Sequence, residues 1–295
     1  IAHLYQRPRV WLEGFHSSGW ATNTAQLTDA LVRNYTGGQN LLSLHGLYYS
    51  TKGGWWEWAP PCNGWRMPYW EDMRTLMKAV ERASFVMSQG VHRCDVAIVY
   101  PVAAMEGGDE GGDAAYAAFS AAEALFNAGR DLDFIDFSSL DRAEIRDDRL
   151  CVAGEEYPVL IIPDMHTIRM STMEKALRFL EAGGIVIHIG ELPRHSDGDL
   201  TSVLPRYREL ATFAQDAQEA LALVSRLVPP DVEPEGVDSF WVNHRIAGDT
   251  QLYMLCGIPQ GTRCRFRAKG QASLWNLWDG RRYVLPQQED ENGTW

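Results

Sequence analysis

The 295-residue chain has no uninterrupted apolar run near the roughly 20 residues that a bilayer requires, and its longest, Tyr157 to Pro163 and Ile185 to Ile189, fall far short. A membrane-spanning role is thereby excluded. Cations are scarce, with 27 Lys plus Arg against 39 Asp plus Glu and a formal net charge of −12, so nucleic acid and other polyanions are poor partners. Cysteine is sparse too. Cys62, Cys94, Cys151, Cys256 and Cys264 are odd in number and form no C-x-x-C pair, which indicates neither a zinc ribbon nor a complete disulfide framework. Buried free thiols are the simpler expectation, while Cys256 and Cys264 could also face each other across a hairpin. No G-x-G-x-x-G turn follows an apolar strand. The glycines Gly107, Gly108, Gly111 and Gly112 lie among Glu106, Asp109, Glu110 and Asp113, a setting that repels phosphate. There is no leader of basic then apolar residues. The start at Ile1 and the stop at Asn292 to Trp295 lead us to expect a piece of something longer, and the compartment stays open between cytoplasmic, periplasmic and secreted.

The hydrophobic content of 45% and charged content of 22% are those of a folded globular protein, and this length favours two or three modules. Residues 1–92 alternate strand, helix, strand, helix: Arg9 to Glu13, Thr24 to Asn34, Asn40 to His45, and Pro68 to Gln89 with Gly90 as its stop. Residues 93–228 continue as a βαβ series, with strands at Asp95 to Tyr100, Leu132 to Asp136, Val159 to Ile162 and Ile185 to Ile189. Helices are expected at Ala114 to Ala128 and Ser171 to Ala182. Continuous apolar strands separated by helices predict a doubly wound, flavodoxin-like open parallel sheet. Residues 236–295 show short alternating runs and an Asp279-Gly280 turn, which predict an antiparallel β-sandwich segment. The whole is thus an α/β chain with an antiparallel β appendage.

Glu13 is the first candidate for chemistry, because it ends an apolar strand and is followed by Gly14, Phe15 and His16. In a (β/α) barrel the carboxyl edge of the strands is the active-site face. His45 ends the next strand in the same register and precedes Tyr48 and Tyr49, so one rim gathers a carboxylate, an imidazole and two phenols. Such a rim suits glycoside hydrolysis, in which one carboxyl group protonates the leaving oxygen and a second acts as nucleophile or base. A surface Glu and a structural His are the plain alternatives. His16, Ser17 and Ser18 either contact sugar hydroxyls or cap the helix that follows Trp20. Seven of the 11 tryptophans lie before residue 90, and Trp55, Trp56 and Trp58 sit among glycines and prolines. Such a loop either folds on its own rings or forms a platform for a sugar face.

The stretches Trp11-Leu-Glu13-Gly-Phe-His-Ser-Ser-Gly-Trp20, Gly37 to Asn40 and Leu44-His-Gly-Leu-Tyr-Tyr49 resemble the last barrel strands of large bacterial glycoside hydrolases, closest to glycoside hydrolase family 106, the α-L-rhamnosidase type. Asp95 to Pro101, Asp133 to Asp136, Tyr157 to Pro163 and Leu180 to Gly184 are similar to the glutamine-amidotransferase-like domain after that barrel, and Trp278-Asp279-Gly280 to a turn in the following β-sandwich. The resemblance implies that residues 1–92 are the end of a (β/α)8 barrel, with Glu13 on its seventh strand as nucleophile or base. His45 would follow the eighth, and His16, Trp20, Tyr48, Tyr49, Trp55, Trp56 and Trp58 would serve the sugar pocket. It implies an oligo- or polysaccharide substrate, and another chain or segment to supply the other six strands and the acid catalyst. Calcium near the substrate is implied as well, without assignable ligands. A non-catalytic carbohydrate-binding or assembly module is the second reading. A glutamine-amidotransferase-like enzyme is disfavoured because no elbow cysteine is present.

Overall fold

A computed structural model describes residues 1–50, 52, 62–107, 111–291 and 293–295. The first region is a two-stranded parallel sheet, β1 (Trp11–Gly14) and β2 (Leu41–Leu44), joined by helix α1 (Thr24–Thr36) and followed by α2 (Met73–Val86). Helix α1 begins in a capping box: the Asn23 side chain accepts from the Gln26 backbone N–H, and the Gln26 side chain from that of Asn23. Capping therefore does not fall to His16, Ser17 or Ser18. Leu27, Leu31 and Tyr35 stand four residues apart, one above the other, and pack with Met73, Leu76, Val80 and Ala83 of α2. Asn40 fixes the start of both strands, its side chain accepting from the Val10 N–H and donating to the Pro8 and Met87 carbonyls.

Helix α2 is shorter than the run Pro68 to Gln89 suggests. A single 3-10 turn, Trp70–Asp72, precedes it, and the chain leaves it after Val86 to form β3 (Val91–His92). Gly90 allows this exit. It has φ +61°, and a Cβ there would lie 2.0 Å from the carbonyl oxygen of Ile246, so no other residue fits so close to the strand that β3 joins.

From here the chain builds the central sheet: β4 (Val96–Val99), α3 (Val102–Glu106), α4 (Gly111–Asn127), β5 (Leu132–Ile135) and α5 (Phe137–Arg142). An antiparallel meander intervenes, β6 (Glu144–Arg146), β7 (Arg149–Val152) and β8 (Glu155–Tyr157). The sheet resumes with β9 (Val159–Ile162), α6 (Met170–Glu181), β10 (Ile185–Ile189), α7 (Leu204–Leu210), β11 (Thr212–Ala214) and α8 (Ala217–Leu227). Its five strands are all parallel, in the order β5-β4-β9-β10-β11. Counted by appearance that is 2-1-3-4-5, the flavodoxin-like arrangement. The period of two along each strand feeds two cores. Ile98, Ile161 and Ile187 face α4 and α8, whereas Ala97, Leu160 and Val186 face α5, α6 and α7. Coverage on both faces explains why these strands are continuously apolar.

The last region is antiparallel. Strand β12 (Val232–Pro234) pairs with β15 (Cys264–Phe266), β13 (Trp241–Ala247) with β14 (Thr250–Cys256), and β16 (Ser273–Trp275) with β17 (Arg282–Val284). β13 also pairs with β3, Arg245 opposite His92, which ties this region back to the end of the first. All five cysteines are free thiols, and Cys256 and Cys264 are unlinked. Among the described residues no helix is long and apolar enough to cross a membrane.

Candidate active site

Parallel pairing of β1 with β2 sets Glu13 opposite Ser43, and the ladder continues one step further where the His45 N–H donates to the Gly14 carbonyl at 2.9 Å. That register brings His45 Nδ1 to 2.7 Å from Glu13 Oε1. The ring of His16 meets the ring of His45 edge-on, with centroids 4.2 Å apart. Glu13, His45 and His16 thus form one set at the carboxyl ends of two strands. The set is open to solvent, the Glu13 side chain being 51% and that of His45 28% exposed.

The loop after Glu13 is held in an unusual shape. Phe15 and Ser17 both lie in the left-handed region, at φ 71° and 53°, a conformation that costs a non-glycine residue about 1–3 kcal/mol and persists only where the surroundings impose it. Here the Phe15 ring is buried in the α1–α2 core. The Ser18 hydroxyl donates to the Phe15 carbonyl at 2.9 Å, and Thr22 to those of Ser18 and Gly19.

The loop after β2 is clamped from the segment following residue 61. Fully buried Asn63 donates from its side chain to the His45 carbonyl at 2.7 Å and from its backbone to the Gly46 carbonyl at 2.8 Å. Tyr69 donates in turn to Asn63 Oδ1 at 2.8 Å, and burial pushes its phenol up to about 12. Arg66 donates to the Tyr48 carbonyl, and the Tyr48 N–H to Cys62 Sγ. The half-buried Tyr48 phenol is raised by desolvation, then by Cys62. Sequence reasoning missed Asn63, Arg66 and Tyr69, because their hold on residues 45–48 follows from no spacing rule. The only hint was a polar Asn63-Gly64 step inside an aromatic stretch.

Trp20 and Tyr48 lie on the loops that follow these same two strands, and the Tyr49 ring stands fully in solvent. Trp55, Trp56 and Trp58, together with Gly108, Asp109 and Glu110 of the acidic stretch, lie outside the described residues. A cleft of about 670 Å3 between α2 and the β16–β17 hairpin is lined by none of the candidate residues. Its Lys78, Arg82, Arg281 and Arg282 face a single carboxylate, Glu81, a poor setting for paired-carboxylate chemistry. Among the described residues, Glu13 belongs to no group of three or more converging His, Cys, Asp or Glu ligand atoms. The one group of three or more His, Cys, Asp or Glu side chains with converging ligand atoms lies elsewhere among the described residues.

Chemically, the Glu13 carboxylate accepts a hydrogen bond from the His45 imidazole through Oε1. An anion so oriented can act as nucleophile or base, and the imidazole fixes its rotamer.

No protein-family model matches the sequence, and no curated protein matches it. Solved structures do. The chain is similar to the rhamnosidase from Novosphingobium sp. PP1Y, with a TM-score of 0.75 and 18% identity over 99% of this chain and 30% of that one. It is similar to the β-galactosidase from Bacillus circulans sp. alkalophilus, with a TM-score of 0.62 and 12% identity over 99% of this chain and 56% of that one. An exo-carrageenase of glycoside hydrolase family 42 from Bacteroides ovatus gives a TM-score of 0.54 and 14% identity over 94% of this chain and 39% of that one. The chain shares its fold with part of each of these three structures. The chain spans about a third of the length of the rhamnosidase and just over half that of the galactosidase.

Proposed function

We propose that the chain is the carboxy-terminal part of a glycoside hydrolase, most like an α-L-rhamnosidase of family 106. Glu13 is its nucleophile or general base and His45 the group that orients it. The observation that carries this reading is the 2.7 Å contact between Glu13 and His45 at the carboxyl ends of two neighbouring parallel strands. Similarity of the whole chain to a rhamnosidase supports the sugar. In this reading β1 and β2 are the last two strands of a (β/α)8 barrel. Two strands cannot close such a barrel, so the other six, and with them the acid catalyst, come from another segment or another chain. His16, Trp20, Tyr48 and Tyr49 then border the sugar pocket, with Trp55, Trp56 and Trp58 as its aromatic wall. The spacing of the second carboxylate from Glu13 decides the stereochemistry, about 5–5.5 Å for retention and 6.5–9.5 Å for inversion.

The test is release of nitrophenol from a panel of nitrophenyl glycosides by the protein as its native host makes it, wild type against Glu13→Gln. Turnover of the α-L-rhamnoside, reduced about 10²–10⁴-fold in the variant with rhamnose binding retained, is expected. A β-galactoside preference keeps the class and changes the sugar. Equal rates in wild type and Glu13→Gln remove Glu13 from the chemistry. Glycan binding without turnover, weakened by Trp55→Ala or Trp56→Ala, makes the chain a binding module.

A further inference from the structure

A second set of carboxylates and imidazoles lies where the amino-terminal turn His3–Tyr5 meets β3, β5 and β8. His3, His92, Asp133 and Glu155 each offer one ligand atom there, and all four atoms lie within 4.8 Å of one another. His3 Nε2 is 2.8 Å from Asp133 Oδ2 and 3.6 Å from Glu155 Oε1; His92 Nδ1 is 3.5 Å and 3.3 Å from the same two oxygens. We propose that these four side chains bind a zinc ion.

Three observations support it. First, the spacing fits: ligands about 2.0–2.1 Å from a tetrahedral zinc stand roughly 3.3 Å apart, in the middle of the separations seen. Second, the polar atoms are unsatisfied in a way that a cation repairs. Glu155 is completely buried, yet neither of its oxygens receives a hydrogen bond, and His92 Nδ1 is likewise without one. Buried groups of this kind are rarely left so. Third, the outer contacts are those that metal ligands need. His92 Nε2 lies 2.8 Å from Asp131 Oδ2, and this donation leaves Nδ1 as the lone-pair nitrogen facing the site. Tyr157 donates to Asp133 at 2.7 Å. Asp131, Asp133 and Glu155 bring three negative charges into one buried place, with Arg245 in electrostatic reach of two of them. A divalent ion together with that guanidinium neutralises all three.

The tight turn that delivers Glu155 is built for its position, Ala153 and Gly154 both having positive φ, 52° and 94°. A polar cleft of about 250 Å3 is lined by Gln6, Arg142, Gly154 and Glu155 on the outer side of this turn. Two nitrogens and two oxygens suit zinc better than calcium or magnesium. With four protein ligands the site is closed, and so structural. It would fasten the turn before β1 to the central sheet.

The chain is stripped with a chelator, then titrated with zinc and with cobalt, and metal content, melting temperature and visible absorption are read. We expect one zinc per chain, a rise in melting temperature, and the absorption bands of tetrahedral cobalt. Glu155→Gln, close to isosteric, and His3→Ala, at a partly exposed position, each lower zinc affinity at least about 10-fold. A folded wild-type chain that binds neither metal overturns the proposal. So does zinc held equally by wild type and both variants, since it then sits elsewhere.

Discussion

Two of the places where this molecule pairs carboxylates with histidines differ in what surrounds the pair. At the end of β1, Glu13 and His45 meet in solvent, where water screens them and their mutual attraction adds little to stability. At the junction of β3, β5 and β8, His92 lies among Asp131, Asp133 and Glu155, all of them buried. There the cost of removing ions from water is several kcal/mol each, and only close pairing offsets it. Identical residue types therefore do opposite work. The exposed pair is free to touch a substrate, and the buried set holds structure together.

Removing the imidazole from each place sharpens this contrast most. His92→Ala leaves the buried Asp131 carboxylate without its imidazole partner and should cost about 3–5 kcal/mol. His45→Ala should change stability by no more than about 1 kcal/mol, while lowering the turnover proposed for Glu13. Urea unfolding of both variants checks the pair. Similar losses at the two positions would break the comparison.

Between these extremes stands Asn63, which joins a buried polar network to the exposed rim. Asn63→Ala removes two hydrogen bonds and strands the Tyr69 hydroxyl and the His45 carbonyl, for an expected loss of about 1–3 kcal/mol. Because Asn63 positions His45 and touches no substrate, activity should fall mainly in kcat, with KM little changed. A variant that is destabilised but retains kcat would detach this network from the site.

The contrast also explains what was legible in the sequence. Strands β4, β9 and β10 announce themselves because each is a short apolar run bounded on at least one side by Pro or Gly, β5 follows the helix stop at Gly129, and the structure places all four within a residue or two of the expected limits. Glu13 and His45 could be singled out because both follow from one local rule, a polar residue at the carboxyl end of an apolar strand. The buried corner obeys no local rule. Its ligands stand at positions 3, 92, 133 and 155, and β3, which carries His92, is two residues long and exists only through its pairing with β13. The meander β6–β8, which carries Glu155, falls between the expected strands Leu132 to Asp136 and Val159 to Ile162, and no periodicity marks it. Asp133 lies on the first of those expected strands with nothing local to single it out.

A third histidine isolates the effect of burial from that of carboxylates, and it carries the smallest prediction. His188 on β10 is completely buried. Its Nε2 lies 2.9 Å from the Glu191 carbonyl, so that nitrogen donates and Nδ1 accepts from the Tyr207 hydroxyl at 3.0 Å. Phe213 packs on the ring, and Asp164 is the one acid acting on it. Desolvation dominates the bond to Glu191 and the pull of Asp164, and holds the imidazole below its usual 6.5. The folded chain thus keeps His188 neutral where the unfolded chain would protonate it. Its contribution is complete above about pH 6.5 and is lost as pH falls from there through the lower folded value, at no more than about 1.4 kcal/mol per pH unit. The stability of wild type measured against His188→Gln from pH 7.5 down to pH 5 should show that slope in wild type alone. Parallel curves would mean that Asp164 and the Glu191 carbonyl compensate the imidazolium fully, and that burial without carboxylates does not set the sign.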